Sequence, residues 1–288
     1  MIWFLFALTT ALSLSTADAL SKKALESTDD IVIAWVREGY AVPFLALGLL
    51  FIDLPSLDST FWLSLVLLLP LEITAIILYI KAIRLSPLSL SVPFMALSPV
   101  FIVFIAFFVL GELPTRAGVA GIVLIAAGAY MLNISASRYG PLGPLKAIRR
   151  EPGSLMMVVV AFIYSITSVL GKVAVEHSSP VFFGFFYPFV LMIILTFIVW
   201  RKGRITFLAS RPLTFIPIGL CTAVMVVSHF IGISLTQVAY LISVKRTSLI
   251  FSVLYGALIF KEINIRERLL GSTLMVAGVA LIVLGEAF

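Results

Sequence analysis

The chain has 288 residues, of which 61% are hydrophobic and only 12% are charged. A soluble domain carries about 25% charged residues, so this composition excludes a protein whose surface lies mainly in water. The net charge of +6 is typical of a membrane protein with basic cytoplasmic loops, and we expect no nucleic-acid partner. The single cysteine, Cys221, excludes an intrachain disulfide and a cysteine-rich metal site.

Apolar runs of helical length predict ten membrane-spanning helices, since the bilayer core takes about 20 residues of helix. Spans 1–5 are predicted at residues 2–20, 31–51, 61–81, 87–110 and 115–135. Spans 6–10 are predicted at residues 154–175, 181–200, 212–235, 238–260 and 266–286. Residues 1–16 contain no Lys or Arg, so span 1 is interpreted as a retained helix and not as a secretory signal.

Spans 1–5 and 6–10 are two copies of one unit, because the chain matches itself at an offset of 150 residues. The matched pairs are Leu20 and Leu170, Lys22 and Lys172, Ala24 and Ala174, Glu26 and Glu176, Ser98 and Ser248, Glu112 and Glu262, Arg116 and Arg266, Gly121 and Gly271, Leu124 and Leu274, Ala127 and Ala277, and Gly128 and Gly278. Five spans is an odd number, so the second copy crosses the membrane in the opposite sense. The predicted fold is therefore an all-α polytopic membrane protein with two inverted five-helix repeats around a central cavity. The first repeat covers residues 1–138, a connecting loop covers 139–153 and the second repeat covers 154–288.

The same residues carry a family resemblance. The segment from Leu97-Ser98-Pro99 to Gly111-Glu112, followed by Gly121 and Gly128, resembles the end of an EamA domain. The segment Phe260-Lys261-Glu262, followed by Gly271 and Gly278, repeats it. The chain thus resembles EamA-domain proteins of the drug/metabolite transporter superfamily over both halves. The resemblance implies a basket-like fold, with a cavity lined by the first, third and fourth helices of each half.

Several of the matched residues have structural explanations. We expect Glu112 and Glu262 each to face the start of a helix. Arg116 and Arg266 follow them by four residues, which is ion-pair spacing on a helix. The glycines, seven residues apart in each copy, favour close helix packing. None of these residues is a site candidate.

Polar residues inside the spans are costly in lipid, and they tend to line an interior path. They recur on single helix faces, as Ser15, Asp18 and Lys22 in span 1, Glu72 and Tyr79 in span 3, Ser165, Ser168 and Lys172 in span 6, Thr222 and His229 in span 8, and Lys245, Ser248, Ser252 and Tyr255 in span 9. From these faces we predict a substrate site formed by Asp18, Glu72, Tyr79, Ser168, His229, Lys245, Arg246 and Ser248.

Lys245 and Arg246 lie about seven residues into span 9, roughly 10 Å along the helix axis. The sequence leaves two interpretations open: the two cations bind an anionic substrate, or they neutralise Glu72 or Asp18 in a structural pair. A Lys-Arg pair in this helix is similar to the phosphate-binding pair of triose-phosphate and nucleotide-sugar translocators, although Met95 replaces Lys245 in the first repeat. Neighbours on a helix point about 100° apart, so we expect Lys245 to contact substrate and Arg246 to contact a carboxylate.

Two further groups have open roles. Glu72 is a candidate for proton coupling, and we expect no cofactor. His229 is either a ligand contact or a core histidine with its own hydrogen bonds. Arg37 and Glu38, near one end of span 2, are expected to be anchors and not ligands.

The function predicted from these features is a secondary transporter that moves a small polar, anionic metabolite by alternating access. We find no motif typical of catalysis, so an enzyme is not expected. A lipid-linked substrate flippase or a channel is the alternative, and a structural scaffold is less favoured because it would not explain the polar faces. We expect the substrate and the lipid bilayer as partners, and a monomer is sufficient.

The basic residues predict an orientation in the plasma (inner) membrane. Of 20 Lys and Arg residues, 15 lie near loops on one side: Lys22, Lys23, Lys81, Arg84, Arg138, Lys146, Arg149, Arg150, Arg201, Lys202, Arg204, Arg211, Lys261, Arg266 and Arg268. The positive-inside rule therefore places both termini outside the cytoplasm. The resemblance implies the opposite, since many ten-helix relatives have both termini inside.

Overall fold

The computed structural model describes residues 2–101, 115–235, 241 and 244–285, with side chains up to residue 282. All regular secondary structure in these residues is helical, and they contain no β-strand. Among them are six helices long and apolar enough to cross a membrane: Ile2–Ala24, Asp30–Phe51, Ser59–Leu85, Pro152–Glu176, Pro180–Arg201 and Pro212–Leu235. These helices confirm the predictions of spans 1, 2, 3, 6, 7 and 8.

The remaining predicted spans contain shorter or partly described helices. Span 5 is the helix Arg116–Met131, and span 10 is the helix Ile265–Gly285. Span 4 begins with the helix Leu88–Ser91 and continues as the 3-10 helix Val92–Ala96. Span 9 includes the helix Ser248–Leu258. Residues 102–114, 236–240 and 242–243 lie outside the described residues, and so does the expectation about Glu112.

The helix starts follow from local sequence. Asp29, Asp58, Thr115 and Ser179 precede spans 2, 3, 5 and 7, and the side chain of each accepts a hydrogen bond from a backbone N–H of the first turn. These N–H groups have no partner within the helix, so a short polar side chain at this position stabilises the helix start.

Span 2 is not one continuous helix. It is an α-helix over Asp30–Gly39, a second one over Val42–Ala46 and a 3-10 helix over Leu47–Phe51. The connecting loop contains the short helix Gly143–Arg150, and further 3-10 helices cover Ile134–Tyr139 and Ile205–Ala209.

Each major helix contact joins the first half of the chain to the second. Span 1 packs against span 8, span 3 against span 6, span 2 against span 7 and span 5 against span 10. Span 6 is the repeat counterpart of span 1, and span 8 is the repeat counterpart of span 3. The contact between spans 1 and 8 is therefore equivalent to the contact between spans 6 and 3, as two copies of one unit require. Gly121 faces Gly278 and Gly128 faces Gly271, so spans 5 and 10 are antiparallel and the prediction of close glycine packing is confirmed.

Most of the charged loops meet on one side of the bundle, which we call the basic face. It comprises the loops that follow spans 1, 3, 5, 7 and 9. Short contacts connect them: Ser86 Oγ donates to the Glu151 carboxylate, and the backbone N–H of Ser135 donates to Glu267 Oε2 at 2.9 Å. The opposite face carries the contact between Asp58 and His177, whose Oδ2 and Nδ1 atoms lie 2.7 Å apart.

Glu262 joins the two halves at the basic face. Its carboxylate accepts hydrogen bonds from the backbone N–H groups of Leu88 at 2.8 Å and Ser89 at 3.0 Å, at the start of span 4. The expectation that Glu262 faces a helix start is therefore confirmed. Its ion-pair partner is Arg268, with Nη1 at 3.2 Å from Oε2, and not Arg266 as the four-residue spacing suggested. Arg268 lies on the same helix as Arg266, but its side chain is buried toward Ser89.

Candidate functional site

A cavity of about 220 Å³ lies between the two halves of the chain. Helices of spans 1, 2, 3, 4, 6, 7, 8 and 9 contribute to its wall. Seven of the residues predicted as a substrate site line it: Glu72, Tyr79, Ser168, His229, Lys245, Arg246 and Ser248. The polar faces of four spans thus converge on one space in the interior of the bundle.

Lys245 and Arg246 both line the cavity, although their spacing on a regular helix predicted that they would not face it equally. A turn at Arg246 and Thr247 separates the helical residues Val244 and Lys245 from the helix that begins at Ser248. The angle of 100° between helical neighbours therefore does not apply at this point. The irregular backbone allows two adjacent cations to face the same space.

The prediction that Arg246 contacts a carboxylate is wrong for the described residues. No described carboxylate oxygen lies within 4.0 Å of either cation. The Nε atom of Arg246 is buried and has no hydrogen-bond partner there. An unpaired guanidinium in a protein interior is costly, so it is typical of a group that awaits a ligand.

Glu72 lines the same cavity as these cations. Its carboxylate interacts with the side chains of Tyr187 and Thr167, and it lies within electrostatic reach of Lys245 without forming an ion pair. Lys245 and Glu72 thus line the same cavity without forming an ion pair with each other.

Asp18 takes a different position from the one predicted. Its Oδ1 accepts a hydrogen bond from Arg37 Nη1 at 2.6 Å, and its Oδ2 accepts one from the Tyr79 hydroxyl at 2.6 Å. The side chain of Asp18 is 1% exposed, and the residue is not among those that line the cavity. Asp18 is therefore a partner that neutralises Arg37, and its assignment as a substrate contact is corrected.

The prediction for Arg37 and Glu38 is also corrected. They were expected to be anchors near one end of span 2. Both are buried, with 6% and 8% of their surface exposed, and both line the cavity. Span 2 starts at Asp30, so Arg37 lies two turns inside it, and the helix ends at Gly39. Both side chains therefore point into the interior instead of lying at the bundle surface.

The other predicted site residues contribute weaker polar groups. Ser168 donates its hydroxyl to the Tyr164 carbonyl at 2.5 Å on its own helix. Nδ1 of His229 is buried and has no hydrogen-bond partner among the described residues. Ser248 is buried at the start of the span 9 helix.

Sequence reasoning missed three polar residues of the wall: Tyr164, Thr167 and Tyr187. Tyr187 lies at the position of Arg37 in the second repeat, so the offset of 150 residues would have indicated it once Arg37 was placed in the cavity. Thr167 and Tyr164 lie on the same helix as Ser168, but hydroxyls of this kind occur on many helices, and the sequence alone does not separate them.

Among the described residues, the wall of the cavity extends to the surface at the face opposite the basic face, and we call this end of the cavity its mouth. Lys172 and Val175, in the last turns of span 6, line it together with Ile233 at the end of span 8. The Lys172 side chain is 52% exposed, so this end reaches the surface. At the basic face, the contacts of Lys22 and Glu262 hold the ends of the helices together.

The sequence profile described as the EamA-like transporter family matches residues 1–134 and, a second time, residues 151–284. The chain belongs to the EamA-like transporter family. The double match confirms the resemblance and its two-repeat organisation. Proteins of the EamA-like family are transporters and not enzymes, and the apolar helices show that this member is an integral membrane protein.

Two further comparisons concern this EamA-family protein. No curated protein sequence matches it. One solved crystal structure of a protein is similar, with a TM-score of 0.64 and 19% sequence identity, over 97% of this chain and 95% of the other chain. At this identity the similarity shows the fold alone.

Proposed function

We propose that this protein is a secondary transporter of a small polar metabolite that carries an anionic group. In this proposal, ten spans form two inverted repeats, and the central cavity opens alternately to the two sides of the plasma (inner) membrane. Lys245 and Arg246 bind the anionic group of the substrate.

The observation that carries the proposal is the pair of cations in the cavity wall. Both lie in the interior of the bundle, and none of the carboxylates that the structure describes lies within 4.0 Å of them. By contrast, Arg37 is neutralised by Asp18 at 2.6 Å. A guanidinium offers a planar fork and an ammonium a point charge, a combination that suits a carboxylate or a phosphate.

The size of the cavity favours a small substrate. Its volume of about 220 Å³ is less than that of pockets for drug-sized ligands, which measure roughly 300–1,000 Å³. Hydroxyls of Tyr164, Thr167 and Tyr187 lie in a largely apolar wall, so the proposed substrate has a few polar groups besides its anionic one.

Glu72 is the proposed site of proton coupling. It faces the same cavity, and its neighbours Tyr187 and Thr167 accommodate both an ionised and a protonated carboxyl. Glu72→Gln keeps the shape but carries no titratable group. We therefore expect this variant to bind substrate and to exchange it across proteoliposome membranes, but to lose accumulation driven by a pH gradient.

The test begins with a thermal-stabilisation screen of purified protein against anionic, zwitterionic and cationic metabolites. We expect the anionic set to raise the melting temperature. Uptake of the stabilising compound by proteoliposomes is then measured against concentration. Saturation supports a carrier, while unsaturable flux would support a channel instead. Stabilisation by cationic compounds alone would contradict the proposed role of Lys245 and Arg246.

A further inference from the structure

Lys22 and Lys172 occupy the same position in the two repeats, but their ammonium groups have different partners. Lys22 Nζ donates to the carbonyl oxygens of Ile83 at 2.9 Å and Ser86 at 2.6 Å. Ile83 lies in the last turn of span 3, and Ser86 follows it. Lys22 therefore joins the end of span 1 to the end of span 3 at the basic face.

Lys172 makes no equivalent contact to another span among the described residues. Its Nζ lies 3.6 Å from Oε1 of Glu176, one turn further along span 6, and both side chains are more than half exposed. The repeat counterpart of Glu176 is Glu26, which does not lie within 4.0 Å of Lys22 in the described structure. The same pair, a lysine followed four residues later by a glutamate, thus makes different contacts in the two repeats.

The residue that corresponds to one partner of Lys22 lies in the cavity wall near the mouth. The offset of 150 residues relates Ile83 to Ile233, which lies near the end of span 8 and lines the cavity. Lys172 lines the cavity as well. Both residues whose counterparts are in contact at the basic face therefore line the cavity near its mouth.

We infer that Lys172 is a latch that closes this mouth. When access changes sides, Lys172 leaves Glu176 and donates to the Ile233 carbonyl, while Lys22 leaves Ile83 and Ser86 and approaches Glu26. The inference rests on the alternating access proposed above, because inverted copies of one unit exchange conformations in such a transporter.

The energetics of both arrangements allow the exchange. The last carbonyls of a helix have no partner within the helix, and they carry the negative end of its dipole, so an ammonium group there is favourable. An exposed ion pair within one helix contributes little to stability, so the contact of Lys172 with Glu176 is easily broken. A lysine can therefore move between the two partners without a large energetic barrier from the contacts themselves.

The test uses one reporter cysteine in the cavity, Ser168→Cys, in the full-length Cys221→Ser protein. Sealed membrane vesicles of each orientation are treated with a membrane-impermeant maleimide, which reaches one face at a time. A separate Ser56→Cys protein identifies the vesicles that expose the mouth. We expect Lys22→Met to slow labelling of the reporter from the mouth side about tenfold, because the basic face no longer stays closed.

Second substitutions in the Lys22→Met protein then test the latch. Lys172→Met should restore fast labelling, while Lys172→Arg, which keeps a donor, should leave it slow. Glu176→Gln should leave labelling slow or make it slower, because it frees Lys172 for the latch. If Lys172 and Glu176 form only a surface ion pair, their neutral variants should act alike, and equal effects would overturn the inference.

A second measurement does not depend on the Lys22 variant. Cysteines that replace Lys172 and Ile233 should be joined by a short flexible bis-maleimide, since a lysine that reaches the Ile233 carbonyl leaves the two Cα atoms farther apart than a disulfide spans. Failure to form this cross-link would also overturn the latch. Unchanged labelling of Lys22→Met, or slow labelling that Lys172→Met does not restore, overturns the latch as well. Saturable uptake by proteoliposomes tests the proposed transport separately, so the latch alone fails if uptake persists.

Discussion

Gly128 of span 5 lies directly against the backbone of Gly271 of span 10. A Cβ atom on Gly128 would come within 2.6 Å of the Gly271 carbonyl oxygen, and a Cβ on Gly271 would come within 2.7 Å of the Gly128 carbonyl oxygen. Gly121 and Gly278 repeat this reciprocal contact two turns away. The two halves of the chain are thus joined through backbone surfaces that leave no room for a side chain.

Gly128→Ala should destabilise the protein, because the added methyl group collides with backbone that cannot rotate away. We expect a loss of about 1–3 kcal/mol, as for other overpacked interiors, measured as a lower melting temperature in detergent. The control is Gly171→Ala, whose Cβ would lie 3.7 Å from Leu68 Cδ1. The control should be neutral or slightly stabilising, and an equal loss in both variants would contradict the packing argument.

Asp18→Asn should destabilise the protein by about 3–5 kcal/mol, since it leaves the buried Arg37 guanidinium without its carboxylate. The melting temperature and expression level measure the effect. Asp53→Asn, on the exposed loop before span 3, is the control and should have little effect. The double variant Asp18→Asn with Arg37→Met should recover stability, and no recovery would argue against a structural pair.

Asp58 gives a pH-dependent prediction at the face opposite the basic one. The backbone N–H of Phe61 and the His177 ring both donate to its carboxylate, and they lower its pKa below the usual 3.8. A lowered pKa means that ionised Asp58 stabilises the fold above about pH 4, and that this contribution is lost as the pH falls through the lowered value. Melting temperatures of the wild type and Asp58→Asn should therefore differ at pH 6, and the difference should shrink as the pH falls below about 4. A constant difference would contradict this assignment.

The orientation in the membrane that the charged loops predict can be tested by labelling. We expect a cysteine replacing Ser56 to be labelled by an impermeant reagent in intact cells, and a cysteine replacing Ser210, at the basic face, to be protected. Both substitutions are made in Cys221→Ser protein, and both residues are exposed. Labelling at position 210 but not at position 56 would place the termini in the cytoplasm, as in many relatives.

Most of the fold could be predicted from the sequence, because a segment that crosses lipid must be apolar and long enough to span it. Apolar length located the long spans, and the offset of 150 residues paired Gly128 with Gly278 and Gly121 with Gly271 as repeat counterparts. The contacts across the interface, Gly128 with Gly271, required the structure, since an offset shows equivalence and not contact.

The candidate site could be predicted only in part, for two physical reasons. Helical periodicity assumes a regular helix, and it failed at Arg246, where the chain turns. The position of Arg37 near one end of span 2 suggested an anchor, but packing turns its side chain into the interior. Partner choice is the second reason. Asp18 has several cations within plausible reach in the sequence, and only packing selects Arg37.

Ligand binding by Lys245→Ala tests the central claim most directly. The metabolite found by the thermal screen is titrated against purified wild type, Lys245→Ala and the control Lys146→Ala, which removes an exposed cation of the basic face. A charge-assisted contact in a partly dry cavity contributes about 2–3 kcal/mol, so the dissociation constant of Lys245→Ala should rise about a hundredfold. Its melting temperature without ligand should stay near that of the wild type, since no described carboxylate pairs with Lys245. A folded Lys245→Ala protein that binds the metabolite as tightly as the wild type would contradict the proposed site.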